Sequence, residues 1–149
     1  MPLIQGHHNG RAAVIPVTIL DVASYRQYKN SKAAVLKGAK PFRALIDTGA
    51  TSIMISPSVV SDVGLQQVNK REFAGLGGSS WRPAYLFHVA FYAEPPASIT
   101  DISKIHICLK EINGGELSAE NTFDVLLGMD ILTTGELRID RDGRFSFTF

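Results

Sequence analysis

Ala44-Leu45-Ile46-Asp47-Thr48-Gly49-Ala50-Thr51 is the stretch that decides how this chain is read. An apolar run delivers one carboxylate into a tight turn. Gly49 lets other backbone approach that turn closely, and the Thr48 hydroxyl can hydrogen-bond neighbouring backbone and stiffen it. Taken alone the tripeptide says little, because Asp-Thr-Gly arises by chance in about 3% of chains of this length at typical residue frequencies. A second element raises the odds. Val125-Leu126-Leu127-Gly128-Met129-Asp130-Ile131-Leu132 reads as an apolar strand, a glycine and the start of a helix.

Outward from these two segments the chain is a series of short β-branched and aromatic runs punctuated by Gly, Pro, Asn and Asp, the pattern of an all-β fold. Ala12 to Leu20 is the expected first strand, with Pro16 marking an edge or an irregularity. Asp21 to Lys40 is a polar, basic excursion with a helical hint over Ser31 to Lys37. Strands follow at Phe42 to Ile46 and Ser52 to Ile55. Ser56 then caps a helix with Pro57 in its first position, Val59, Val60 and Val63 on its apolar face and Gly64 as its stop. No other helix is expected before the C-terminal third. Two strands lie around Gly75-Leu76-Gly77-Gly78-Ser79-Ser80, the second apolar on both faces from Tyr85 to Ala93 and broken by Pro95-Pro96. Lys104 to Ile112 is a further strand, with a turn expected at Asn113-Gly114-Gly115. Phe123 to Leu127 is a buried strand and Asp130 opens a short helix. Leu137 to Phe149 is a hairpin around Asp140-Arg141-Asp142-Gly143, with Phe145, Phe147 and Phe149 on one face. No repeat or boundary interrupts the chain, so 1–149 is expected to be one domain.

Composition narrows the possibilities. The 149 residues are 45% hydrophobic and 19% charged with a net charge of +1, ordinary for a globular domain and without the electrostatic excess that nucleic-acid binding requires. The basic cluster of Arg26, Lys29, Lys32, Lys37 and Lys40 is a solvated surface on this reading. The single Cys108 has no partner in its chain. Together with an N-terminus lacking signal-peptide character, it favours a cytoplasmic location. No run approaches the roughly 20 apolar residues that span a bilayer, so no membrane contact is expected. His7, His8, His88 and His106 lack the paired spacing of a metal site, and neither a metal nor a cofactor is expected. Cys108 reads as a packed core thiol. Trp81, beside the glycine-rich segment, either contacts a ligand or packs beneath that segment.

A carboxylate mechanism for amide hydrolysis needs two acids flanking a water. Like charges at that separation cannot both ionise, so the pair shares a proton. One member takes a proton from water while the other polarises the carbonyl.

Together the two motifs resemble the retropepsin-like aspartic peptidases. In that family a hydrophobic-hydrophobic-Asp-Thr-Gly-Ala motif is followed by a hydrophobic-hydrophobic-Gly motif, whose strand threads beneath the turn. The resemblance implies a closed β-barrel, half of an acid-protease architecture, with one or two short helices. It implies Asp47 as the catalytic acid, Thr48, Gly49 and Ala50 as its turn, and Leu126, Leu127 and Gly128 as support. Gly75, Leu76, Gly77 and Gly78 fall at the family's flap, a hairpin tip that closes over substrate. Phe73 to Gly77, Phe123 to Asp130 and Thr51 to Ser56 with the helix after them are similar to the cellular branch found in DNA-damage-inducible ubiquitin-shuttle proteins. Bacterial stand-alone members are the other near relatives. Two segments depart from the pattern, the long Asp21 to Lys40 connection and the stretch around Pro95-Pro96. No segment of the 149 residues reads as a ubiquitin-like domain, so the resemblance implies no ubiquitin-linked role.

One Asp-Thr-Gly per chain decides the expected assembly, a two-fold homodimer that sets Asp47 beside its symmetry mate. The Phe145, Phe147 and Phe149 stripe either contributes to that interface or closes the core of each subunit. The resemblance therefore implies an aspartic endopeptidase acting on a peptide or protein substrate. Apolar side chains are the expected preference, with Leu45, Ile53 and Leu76 near the cleft. The alternative is a non-catalytic peptide-binding or dimerisation module on the same fold.

Overall fold

A computed structural model describes residues 2–30, 40–75, 78–93, 105–108, 110–119 and 121–149. The expected Ser31 to Lys37 helix, the expected break at Pro95-Pro96, and Leu76 and Gly77 of the expected flap lie outside these. Strands dominate, as the alternating sequence requires. They are β1 (Leu3–His7), β2 (Val14–Asp21), β3 (Phe42–Ile46), β4 (Met54–Ile55), β5 (Gln67–Gly75), β6 (Gly78–Tyr92), β7 (Ile105–Ile107), β8 (Ile112–Glu116), β9 (Val125–Leu127), β10 (Glu136–Ile139) and β11 (Arg144–Thr148). Three short helices accompany them, α1 (Val22–Asn30), α2 (Pro57–Val63) and α3 (Met129–Leu132).

The larger sheet runs β2-β3-β9-β4-β8-β6-β5, and an additional β2–β6 pairing bends it back on itself. The outcome is ring-like rather than a regular barrel. Pro16 is accommodated because β2 changes partner along its length. Val14 to Val17 pair with β3, and pairing with β6 begins only at Val17. The proline's missing N–H therefore falls where one side of β2 is unpaired. A smaller sheet runs β1-β11-β10, and its Ile4, Phe145 and Phe147 are buried in the same cluster as Val17, Phe91 and Leu127 of the larger sheet.

Phe87, Val89, Phe91, Val125, Leu127, Ile131 and Phe147 are buried in the main core, each contributing roughly 1.5–3 kcal/mol by leaving water. Phe145 and Phe147 are buried and Phe149 packs partly against the same cluster, with the Phe147 and Phe149 rings stacked 5.3 Å apart. The stripe thus closes the core of the single chain. The second face of β6 is covered as well. Leu20, Ala90, Tyr92 and Ile105 form a separate buried cluster, and Tyr25 of α1 stacks on His88 with ring centroids 3.7 Å apart. That explains why Tyr85 to Tyr92 is apolar on alternate and intervening positions alike. Cys108 is buried and free.

Several elements differ from the sequence reading. Helix α1 begins directly after β2, where Asp21 Oδ1 accepts from the Ser24 backbone N–H at 2.8 Å, so the Ser56-capped helix is not the first. Arg26 and Lys29 lie exposed on α1, a solvated face as expected. The N-terminus forms β1, paired with β11 from Leu3 to His7, and His8 is anchored by its ring nitrogen 2.6 Å from the Asp140 carbonyl. Asn113-Gly114-Gly115 is not a turn but the middle of β8. A Cβ on Gly114 would meet the Phe87 ring at 2.6 Å, and one on Gly115 the Phe73 ring at 2.5 Å. The glycines are there for aromatic packing. Helix α2 matches expectation, with Ser56 accepting from the Val59 N–H and Gly64 ending it at a φ of 77°.

Candidate active site

Strand β9 is inserted between β3 and β4, parallel to β3 through Ala44↔Val125, Leu45↔Leu126 and Ile46↔Leu127 and antiparallel to β4 through Met54↔Leu126. Asp124 locks the start of this arrangement. Its Oδ2 accepts from the Arg43 N–H at 2.8 Å, and its backbone N–H donates to the Arg43 carbonyl at 3.0 Å. At the other end β3 and β9 deliver Asp47 and Gly128 side by side.

The Asp47 N–H donates to the Leu127 carbonyl at 3.0 Å, and the Asp47 carbonyl accepts from Ala50 at 3.2 Å. Its carboxylate Oδ1 accepts from the Gly49 N–H at 2.9 Å. Asp47 is half-buried, whereas Thr48 and Gly49 are exposed. The Thr48 hydroxyl has no partner among the described residues, so the stiffening expected of it is not seen within one chain. Beneath the turn, Met129 N–H donates to the Ala50 carbonyl at 2.8 Å and Asp130 N–H to the Thr51 carbonyl at 3.2 Å. Asp130 adds a side-chain clasp, its Oδ2 accepting from the Ile53 N–H at 3.0 Å.

Strands β5 and β6 form a long hairpin from Gln67↔Tyr85 out to Gly75↔Gly78. A cleft of about 850 Å³ opens between this hairpin and the Asp47 turn, lined by Asp47, Gly49 and Ala50 on one side and by Gly78 of the hairpin and Leu126 of β9 among others. The Leu127 carbonyl contacts the Asp47 turn and Gly128 lies against the Ser52 backbone, and Gly75 is the last residue of β5.

The cleft wall is more polar than expected. Ile53 is fully buried in the core at 0% exposure, and neither it nor Leu45 lines the cleft. Arg71, Glu72, Ser79 and Arg82 do, with Phe73 and Met54 as apolar contacts. The sequence reading missed Arg71, Glu72 and Arg82, although Arg71 and Phe73 alternate onto one strand face by simple period-two counting. Trp81 does not pack beneath the hairpin, being 70% exposed. At the base of the hairpin the Tyr85 hydroxyl donates to Glu116 at 3.1 Å. Burial first, and then that carboxylate, push the Tyr85 phenol above its ordinary pKa. Among the described residues no cluster of three His, Cys, Asp or Glu is arranged to hold a metal ion, and no described helix is long and apolar enough to cross a membrane.

The model of the aspartyl protease family matches residues 32–131, more than half of the chain. The chain belongs to that family. Its fold is similar to the crystal structure of a retropepsin-like aspartic protease from Rickettsia conorii. The TM-score is 0.53 at 17% identity, over 97% of this chain and 89% of that one. A Legionella pneumophila protein of unknown function is more distant, with a TM-score of 0.39 at 13% identity over 80% of this chain and 83% of that one. No curated protein matches the chain.

Proposed function

We propose that the chain is an aspartic endopeptidase that acts as a homodimer, with water held between the Asp47 carboxylate and that of a second copy. The observation that carries this reading is the placement of Asp47 at an open cleft, with Oδ1 held by Gly49. One carboxylate per chain leaves the acid–base pair half complete, and a two-fold axis supplies the other half. The ionised member takes a proton from water as the oxygen attacks the peptide carbonyl, and the protonated member donates to the carbonyl oxygen. In the collapse of the tetrahedral adduct, the carboxyl that took the water proton gives it to the leaving amine, while the other, now ionised, recovers a hydroxyl proton from the adduct, which restores the singly protonated pair. Within the family, Phe73 to Gly77 and Phe123 to Asp130 resemble the cellular branch found in DNA-damage-inducible proteins, and Thr51 to Ser56 with the helix after it matches that branch better than the viral members. Bacterial stand-alone members are the other near relatives.

The test is Asp47→Asn, assayed on a mixed peptide library with and without pepstatin. The expected result is a loss on the order of a thousandfold or more, with circular dichroism and sedimentation unchanged. An undiminished rate removes Asp47 from the chemistry. Peptide binding by the unmodified protein without any pepstatin-sensitive cleavage marks a binding module instead.

A further inference from the structure

We propose that the cleft selects peptides bearing an acidic side chain, whose carboxylate is held between Arg71 and Arg82 of the β5–β6 hairpin. The proposal rests on the peptide-cleft reading above and names a substrate class for it.

Arg71 and Arg82 are direct partners across the β5–β6 ladder, and both line the cleft. Residues directly opposite on an antiparallel pair project from the same face with their Cβ atoms about 4.5–5.5 Å apart, and like charges so placed destabilise the pair. The surroundings tether these guanidinium groups without neutralising them. Arg71 Nη1 donates to the Asn113 carbonyl at 2.6 Å, and its guanidinium lies 5.1 Å from the centre of the Phe73 ring. Arg82 Nε donates to Ser80 Oγ at 3.1 Å and Nη1 to the Glu116 carbonyl at 3.5 Å. Every one of these acceptors is uncharged.

Asp47 lines the same cleft but forms no ion pair with either arginine, and the other two nearby acids, Glu72 and Glu116, are engaged elsewhere. Glu72 borders the cleft but projects from the alternate face of β5, opposite Trp81, and accepts from Ser79 Oγ at 2.5 Å. The Glu116 carboxylate accepts the Tyr85 hydroxyl. Among the described residues no ion pair reaches either arginine. Each guanidinium has five N–H donors, so both keep donors for a ligand. A planar, forked donor set suits a carboxylate, which accepts two parallel hydrogen bonds from one arginine or bridges a pair. One carboxylate between the two would also relieve their mutual repulsion. The tethers to β8 fix both groups in place before a ligand arrives, which lowers the ordering cost of binding.

The experiment measures binding apart from cleavage. Fluorescent extended peptides differing only in one central Glu or Gln are titrated into the Asp47→Asn protein by anisotropy at low salt, each with a free or an amidated C-terminus. The Glu peptide should bind on the order of tenfold more tightly than its Gln counterpart, with or without amidation. A preference that follows the free terminus instead overturns the side-chain assignment. In Arg82→Glu the new carboxylate sits opposite Arg71 and occupies the site. The Glu preference should vanish while the melting temperature holds or rises, which a merely unfolded variant cannot reproduce. Arg71→Lys with Arg82→Lys should keep part of the preference through charge alone. Equal binding of the Glu and Gln peptides to the Asp47→Asn protein, or a preference that survives Arg82→Glu, defeats the proposal. Glu-selective binding by a protein that cleaves nothing defeats the peptidase reading and leaves this site standing. Cleavage with no Glu preference does the reverse.

Discussion

A Cβ on residue 128 would stand 2.6 Å from the carbonyl carbon of Ser52, so Gly128 and Ser52 are in direct backbone contact under the Asp47 turn. The neighbour is main chain on both sides and cannot swing aside. Gly128→Ala must therefore push β9 away from the turn, and overpacking of this kind costs typically 1–3 kcal/mol. The urea midpoint should fall accordingly. Activity should drop further than stability, because the Leu127 carbonyl that receives the Asp47 N–H moves with β9. A variant with unchanged midpoint and rate would show that the two segments are less tightly apposed.

Asp47 and Asp130 should separate cleanly in mutagenesis. Asp130 Oδ2 satisfies the Ile53 N–H, and Ile53 itself is buried. Asp130→Ala strands that donor and should cost about 1–3 kcal/mol by chemical denaturation. Asp47→Asn removes no comparable clasp and should leave the denaturation curve nearly in place. Two curves of equal midpoint would contradict this division of labour.

Phe147 is 1% exposed within one chain, its ring tilted against Phe91 with centroids 5.6 Å apart. Phe147→Ala should cost roughly 3–5 kcal/mol through lost burial and the cavity left behind. The loss should be the same at every protein concentration. A loss that disappears at high concentration would move the ring from the core to a subunit contact.

How much of this was legible in the sequence depends on whether the decisive contact is local. The Ser56 cap, Pro57 and Gly64 specify α2 within a few residues, and the structure keeps all three roles. The Asp47 and Gly128 segments were readable because an apolar strand running into a glycine is a local pattern. Gly114 and Gly115 were misread because their meaning lies in Phe87 and Phe73, distant in sequence and touching only in the fold. Strand β1 was missed for a similar reason. Leu3 to His7 shows little alternation of its own and gains its ladder from β11 at the other end of the chain. The polar cleft wall escaped because Arg71 and Arg82 become a pair only through the hairpin register.

If each chain supplies one acid, specific activity must depend on how much dimer is present. Rate per chain should fall as the protein is diluted through its dissociation constant, and excess Asp47→Asn chain should suppress the remaining activity by forming mixed dimers. Both are read in one progress-curve series. A rate per chain that is constant across dilution and indifferent to the variant would mean that a single chain is sufficient.

The pH profile tests the same pairing from the chemical side. In a pair that shares one proton, sufficiently acid solution protonates both carboxyls and leaves no base to take the proton from water, and sufficiently alkaline solution ionises both and leaves no acid to polarise the carbonyl. Only the singly protonated pair is competent, so kcat/KM should be bell-shaped with an acid to near-neutral optimum, and its two limbs belong to the pair rather than to either copy of Asp47. An isolated carboxylate acting as a lone base has no falling alkaline limb. Activity that climbs steadily to about pH 9 would therefore exclude a shared proton, even if Asp47→Asn were inactive.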